Sequence, residues 1–501
     1  PKGREVVRGS ETMQQLQLSL ITAASPVKGT TRKAAAKPAE AVTVAPKIRA
    51  TTQTRASATM EKVVGHLRAA FTNVARNKGA PGPDGASIRD VETRLDPLLR
   101  ALSSALLDGS YRPGHIRRVW IPKGCGGRRG LGIPSVADRM VQEAVRMVLE
   151  PLYEPTFHER SHGFRPNRSC QTAIRQAKQD VEAGYSWVVD IDLSKFFDRV
   201  HHQRLLARLG QRVSDRRLLV LIGHFLKAKV VLPDGVVVST AEGLPQGGPL
   251  SPLLSNIVLD ELDHELDRRG HRFVRYADDC NVYVRSERAG QRVMASLRSF
   301  IERRLRLKIN EDKSAVARPE ERHFVGFSLQ RGGSDNQVEI HLSARSMKRM
   351  KERIRQLTPR NWGSSLDACV AQINRYFEGW FGFFGICTGT GTERAFGSFD
   401  AHTRRRLRAV KLKHWKRKRT QAKRLIQLGV TEKNAWRNVY DGRTSIWALS
   451  RTWAVNRGLN NAYFADLGLV SLKQRWLDKH SAIDARGQLR LPMDKDGRES
   501  G

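Results

Sequence analysis

Two short stretches carry acids where a reaction could use them. The first is Trp187-Val-Val-Asp-Ile-Asp-Leu-Ser-Lys-Phe-Phe-Asp198, and the second is Phe273-Val-Arg-Tyr-Ala-Asp-Asp-Cys-Asn-Val-Tyr-Val284. In the first, strand alternation sets Asp190 and Asp192 on one face and Val189, Ile191 and Leu193 on the other. In the second, two β-rich runs flank Ala277-Asp278-Asp279 and predict a hairpin with acids at its tip. Adjacent carboxylates repel, and a cation between them relieves the repulsion. Three of them on neighbouring strand ends would hold two Mg²⁺ ions about 3.5–4 Å apart, able to activate a hydroxyl and stabilise a pyrophosphate leaving group. Taken singly, an Asp-Asp turn is usually a solvated turn and a strand Asp often a cap.

The elements that must position these acids follow a mixed pattern. From Met60 the apolar residues Val63, Leu67, Ala70, Phe71 and Val74 recur at helical spacing. A Gly/Pro loop follows from Asn77 to Gly85. The sequence then predicts a strand from Arg117 to Ile121 and a long apolar helix from about Val136 to Leu152. A mixed α/β region covers 187–330, and after Gly332 the chain reads as mostly helical, very basic and tryptophan-bearing.

Charge narrows the partners. The 501 residues carry a formal net charge of +38. Such an excess repels itself in a compact fold and calls for a polyanion, with nucleic acid the first candidate. No run approaches the roughly 18 apolar residues of a membrane span. Five scattered cysteines without a C-x-x-C pair indicate neither a zinc site nor a disulfide framework, and fit free thiols in a reducing cytosol. Between Arg404 and Arg424, twelve of twenty-one residues are Lys or Arg. That density exceeds a merely solvated face and predicts salt-dependent phosphate binding. The aromatics of Ile373–Phe384 read mainly as helix core. Residues 1–59 are rich in Ala, Thr, Lys and Arg and read as a flexible basic extension, with an organelle transit peptide as the rival.

Six motifs in order carry a family resemblance from about Met60 to Leu477. Tyr276-Ala-Asp-Asp279 is similar to the signature tetrapeptide of reverse transcriptases. Gly243-Leu-Pro-Gln-Gly-Gly-Pro-Leu-Ser-Pro252 resembles their nucleotide-binding turn. Ile121-Pro-Lys with Arg129-Gly-Leu-Gly-Ile-Pro134, and Ser161-His-Gly-Phe-Arg-Pro-Asn-Arg168, look like the fingers of group II intron enzymes. Leu307-Lys-Ile-Asn-Glu-Asp-Lys313 and Phe324-Val-Gly-Phe327 resemble the last palm motifs.

The resemblance implies an α+β right-hand polymerase. Its parts would be a basic extension (1–59), an N-terminal extension and fingers (60–187), a palm (188–335), an α-helical thumb and maturase domain (336–430), a small helical DNA-binding domain (431–480) and a tail without an endonuclease domain (481–501). It implies metal binding by Asp192, Asp278 and Asp279, with Leu193 in the metal set, and two Mg²⁺ ions, Mn²⁺ being the alternative. Asp190 competes with Asp192 for the first role. Asp192 is preferred because Phe197 stands five residues later, as the steric gate does in the family, leaving Phe196 for the core.

Lys123, Arg129, Gln246, Gly247 and Lys313 would meet the incoming nucleotide, Lys313 protonating the pyrophosphate. Asn77 and Lys78 of the lid-like loop, Arg117, and Arg404, Arg405, Arg408, Lys416, Arg417 and Lys418 would contact template or intron RNA. The implied partners are group II intron RNA, target DNA with primer-template, and dNTPs, in a bacterial cytoplasm. Two rival readings are a splicing cofactor with an idle polymerase and a relative serving defence, diversification or repair.

Overall fold

The computed structural model describes residues 57–122, 127–239, 241–332, 337–359, 363, 365–441 and 445–481. Lys123, the basic extension up to residue 56 and the tail from 482 lie outside them. The fold is mixed α+β, and the chain divides into two compact units. One gathers residues up to 173, 189–282 and 288–316; the other gathers 174–188, 283–287 and residues from 317 on.

The strands among the described residues are β1 (Ile116–Pro122), β2 (Arg128–Ile133), β3 (Trp187–Asp192), β4 (Val230–Val231), β5 (Val237–Val238), β6 (Arg272–Tyr276), β7 (Asp279–Val284), β8 (Ala315–Ala317), β9 (Phe327–Arg331) and β10 (Val338–Leu342). They form a sheet of order β2-β1-β4-β5, a sheet of order β6-β7-β3-β8, and the β9–β10 hairpin. β1 and β2 pair antiparallel with Arg117 opposite Ile133 and Ile121 opposite Arg129, while β1 pairs parallel with β4.

The expected helix at Met60 runs Met60–Arg76. Thr59 caps it, and it buries Met60, Val63, Leu67, Ala70, Phe71 and Val74. This apolar stripe packs on the Val136–Tyr153 helix, capped by Ser135. That second helix is buried so completely that Asp138, Arg139, Gln142 and Glu143 face protein as well. Each then needs a partner. Tyr111 donates its hydroxyl to Asp138 at 2.6 Å, Arg139 donates to the Ala80 carbonyl at 2.8 Å, and Asn73 donates to Glu143 at 2.9 Å.

In the other unit the helices Ala344–Leu357, Leu366–Phe384 and Thr390–His414 lead into shorter ones up to Leu472–Ser481. Phe377, Trp380 and Phe384 of the aromatic run fill a core there together with Phe396 and Phe399. β10 is a strand within the stretch after Gly332, where a mostly helical chain was expected. It alternates Val338, Ile340 and Leu342 inward against β9. No helix among the described residues is long and apolar enough to cross a membrane.

Candidate active site

The acids sit where two strand ends and one hairpin turn meet, within one compact unit. β3 ends at Asp192, and the chain beyond it is tied to residues 308–314. Ser194 N–H donates to the Lys308 carbonyl (2.7 Å), Asn310 N–H to the Asp192 carbonyl (2.8 Å), and Leu193 is bridged to Ile309. The Asp192 carboxylate accepts from Asn310 Nδ2 at 3.0 Å and lies 3.5 Å from Lys313 Nζ. Leu193 itself is buried. Asp190 shares the strand face but is buried, 8% exposed, whereas the Asp192 side chain is 38% exposed.

β6 and β7 make the expected hairpin, turning at Ala277 and Asp278. Burial pushes the Asp278 carboxyl above its ordinary range; Asp192 pushes the same way, and Arg129 and Lys313 oppose it. Asp192 and Asp278 are therefore close enough to repel, with two cations in reach. Asp279 opens β7, and its charge acts on the buried thiols of Cys170 and Cys280. Among the described residues no three His, Cys, Asp or Glu side chains converge as a closed metal nest. The Asp192–Asp278 pair still fits a divalent cation: its donors are hard oxygens, and their repulsion is what such an ion relieves.

The turn is held from beneath by a residue that the motif reading passed over. Arg275 is 0% exposed. Its Nε and one terminal nitrogen grip Asp263 at 2.7 and 2.5 Å, and its remaining bonds go to Asn256 Oδ1 (3.0 Å), Ser161 Oγ (2.7 Å) and the Ala277 carbonyl (2.9 Å). Ala277 has φ +56°, a left-handed conformation unfavourable to a residue with a Cβ. Arg275 fixes the carbonyl of that residue. Its own backbone is bonded on both sides to the 160–162 segment, at 2.9 and 2.8 Å.

Gly163 completes the support, because a Cβ there would collide with the Ala277 amide nitrogen. This explains the glycine in Ser161-His-Gly-Phe on packing grounds. Two signals for the network stood in the sequence. One was an arginine inside an apolar strand; the other was Asn256 and Asp263, seven residues apart on one face of the buried Ser251–Arg268 helix. His162 is buried beside this support, and burial among Arg168, Arg165 and Arg160 pulls its imidazole down to about 4.

The Gly243–Pro252 turn is stapled to β2. Gly132 N–H donates to the Gln246 carbonyl at 2.6 Å, and Gly247, at φ +122°, lies so close to the Gly132 carbonyl that a Cβ could not fit. Gln246 is half-buried. Leu244 N–H donates to the Phe197 carbonyl at 2.6 Å, so the same turn fixes the Phe196–Arg199 helix. Phe196 is buried, and Phe197, meeting it edge-on at 5.2 Å, is half-exposed.

Of the expected RNA contacts, Asn77 and Lys78 are exposed. Arg117 donates to the Pro81 carbonyl at 2.6 Å, anchoring the loop that holds them. Lys416, Arg417 and Lys418 are exposed and Arg404 half-exposed. Arg405 lies 3.8 Å over the Trp447 ring. Arg408 departs from the expectation. It is 9% exposed and donates to the Leu459 carbonyl at 2.8 Å, because its side chain emerges on the buried side of the Thr390–His414 helix.

The family model for reverse transcriptase (RNA-dependent DNA polymerase) matches residues 121–329, and that for the group II intron, maturase-specific domain matches 347–428. Protein YkfC of Escherichia coli (strain K12) is 36% identical over 280 residues, 48% of this chain and 73% of its own length. The chain belongs to the group II intron reverse transcriptase family. Within that family, the group II intron-encoded protein LtrA of Lactococcus lactis subsp. cremoris is 29% identical over 361 residues, 57% of this chain and 60% of LtrA. The putative COX1/OXI3 intron 2 protein of Saccharomyces cerevisiae is 31% identical over 289 residues, 46% of this chain and 34% of that protein. The polymerase match of this group II intron reverse transcriptase spans both acid motifs and the Gly243–Pro252 turn, and its maturase match holds the basic run up to Arg424.

Proposed function

We propose that the protein copies RNA into DNA at the Asp192–Asp278 site and separately binds and helps to splice a group II intron RNA, which it then copies into target DNA from a primer. The observation that carries this reading is the pairing of two mutually repelling carboxylates with Arg129 and Lys313. Divalent cations, taken to be two Mg²⁺ ions held by Asp192, Asp278 and Asp279, would supply activation of the primer 3′-hydroxyl and neutralisation of charge on the leaving pyrophosphate. Arg129 and Lys313 are cations placed to meet the triphosphate of a dNTP, and Lys313 is placed to give a proton to the pyrophosphate. Gln246 and Gly247 bring bare backbone to the base and sugar. Phe197, half-exposed behind buried Phe196, is the ring that would exclude a ribose 2′-hydroxyl.

On this reading residues 60–187 are extension and fingers, 188–335 palm, 336–430 thumb and maturase region, and 431–480 a DNA-binding segment. The exposed Lys416, Arg417 and Lys418 serve RNA phosphates.

The test is primer extension on an RNA template beside splicing of the cognate intron at low magnesium. Asp278→Ala should abolish extension and leave splicing assistance intact, while Asp190→Ala should retain more extension than Asp192→Ala. Loss of both functions in Asp278→Ala would join the two activities, and equal losses at 190 and 192 would unseat Asp192.

A further inference from the structure

Three aromatic side chains among the described residues are more than 40% exposed: Trp120, Tyr440 (50%) and Trp453 (56%). Two of them lie in one stretch of short helices. The Lys418–Gln427 helix packs on Glu432–Tyr440, and both pack on Trp453–Gly458. One exposed ring by itself is ordinary, but rings grouped in one patch mark an interaction site.

Tyr440 is not alone. Trp436, one helical turn earlier, lies 5.7 Å from it at a 33° tilt, and Lys418 Nζ stands 5.4 Å from the Tyr440 ring. Trp436 Nε1 donates to Glu432 at 3.3 Å, which fixes the indole on the helix surface. The charge around these rings is one-signed. Residues 416–457 hold eleven Lys and Arg and only two acids, Glu432 and Asp441. An apolar protein partner would meet unpaired charge here. A lipid surface would want a continuous apolar helix face, and the polar residues between the rings interrupt one.

We propose that Trp436 and Tyr440, with Lys418, form a stacking platform for an unpaired nucleotide of RNA, the exposed Lys416, Arg417 and Arg419 taking the flanking phosphates. This rests on the RNA-binding reading above and deepens it. Phosphate contacts hold any nucleic acid, but a ring with an open face selects a base that is not already stacked in a duplex. RNA is favoured because Lys416–Arg419 fall inside the maturase-specific match, which ends at residue 428; Trp436 and Tyr440 lie just beyond it, so the platform extends the RNA surface into the start of the segment read above as DNA-binding.

The test uses the full chain with two fluorescent probes, an unstructured 12-nucleotide RNA and a blunt RNA duplex. Tyr440→Ala should weaken single-strand binding by roughly fivefold or more. Duplex binding, primer extension and the slope of log affinity against log salt should stay unchanged. Tyr440→Phe should restore binding, since it keeps the ring. Equal losses on strand and duplex, no loss on the strand, or failure of Phe to rescue would overturn the platform. Loss on a DNA strand of the same sequence, with the RNA strand unaffected, would overturn the assignment to RNA. If the wild-type chain binds neither RNA probe, the failure belongs to the RNA-binding reading itself.

Discussion

Arg275 is sealed from water with every guanidinium nitrogen bonded, whereas Lys416, Arg417 and Lys418 stand in solvent. The two regions use the same charge for opposite ends. Beneath the Ala277–Asp278 turn the charge is buried and over-bonded, which fixes a backbone carbonyl and through it a carboxylate. A misplacement of about 1 Å in such a site can cost a hundredfold in rate. Along the basic helices the charges act through a field, and no single one needs a fixed position. Substitution should therefore be steep and all-or-none in the first region, and graded and salt-dependent in the second.

The largest effect should come from removing the carboxylate that the turn presents. Asp278→Ala should lower primer extension by about three orders of magnitude or more, since charge stabilisation at such a site is worth several kcal/mol and each 1.36 kcal/mol is tenfold. RNA affinity, measured on the same preparation, should move less than threefold. A rate within tenfold of the parent would break the contrast, because the best-positioned acid would then be dispensable.

Arg275 sharpens it. Arg275→Met leaves Asp263 buried and unpaired, which costs about 3–5 kcal/mol and should appear as a clear drop in the unfolding midpoint. Adding Asp263→Leu should restore much of that stability, since a buried pair can be replaced by apolar side chains at little cost. Primer extension should not return in the double variant, because nothing then holds the Ala277 carbonyl at its left-handed backbone. Recovery of activity along with stability would reduce Arg275 to a packing residue.

How much of this was legible in the sequence differs between the same two regions. The acids of the turn were readable because their chemistry is local: alternating apolar residues on both sides of Ala277-Asp278-Asp279 dictate a hairpin, and the hairpin puts the acids at its tip. The choice between Asp190 and Asp192 was not local. Alternation gives both the same face, and the preference for Asp192 rested on Phe197 five residues later; in the structure the two differ in exposure, and Asp192 is tied to Asn310 and Lys313, more than a hundred residues away. Arg275 was missed for a related reason: Ser161 lies 114 residues away, and Asp263, only 12 residues back, sits on a helix whose side chains show no pattern shared with the strand. β4 and β5, two residues each, carry too little pattern to be seen. On the basic helices the charge run announced a phosphate-binding surface, yet charge density does not say which arginine points inward, and Arg408 proved to be one that does.

Phe197 lies between the extremes, its carbonyl bonded by Leu244 N–H but its side chain half-exposed. If its ring borders C2′ of the incoming nucleotide, Phe197→Ala should raise ribonucleotide use relative to deoxynucleotide by about tenfold to a hundredfold, the range for a change of one small group in an apolar pocket. The measurement is the ratio of kcat/KM for matched ribo- and deoxynucleotides. An unchanged ratio in a folded variant would assign the ring to the same packing role as Phe196.

The smallest effects should lie on the basic helices, and they separate a field charge from a structural one. Each phosphate neutralised on a single strand contributes about 0.7 to the slope of log affinity against log salt. Replacing Lys416, Arg417 and Lys418 together by Ala should therefore flatten that slope by roughly 2 if all three meet phosphates, with little change in the unfolding midpoint, because none of them is buried. Arg408→Ala should behave in the reverse way. Burial, with Arg404 nearby, already draws its guanidinium down to about 10, so its charge is disfavoured where it sits and is retained for the bond to the Leu459 carbonyl. Removing it leaves that carbonyl without its donor and opens space beside Phe464, 5.8 Å away. The midpoint should fall while the salt slope stays within error of the parent. A flattened slope in Arg408→Ala at unchanged stability would mean that this arginine reaches the nucleic acid after all, by leaving its buried position on binding. The division between sealed and solvated charge would then hold only for the free protein.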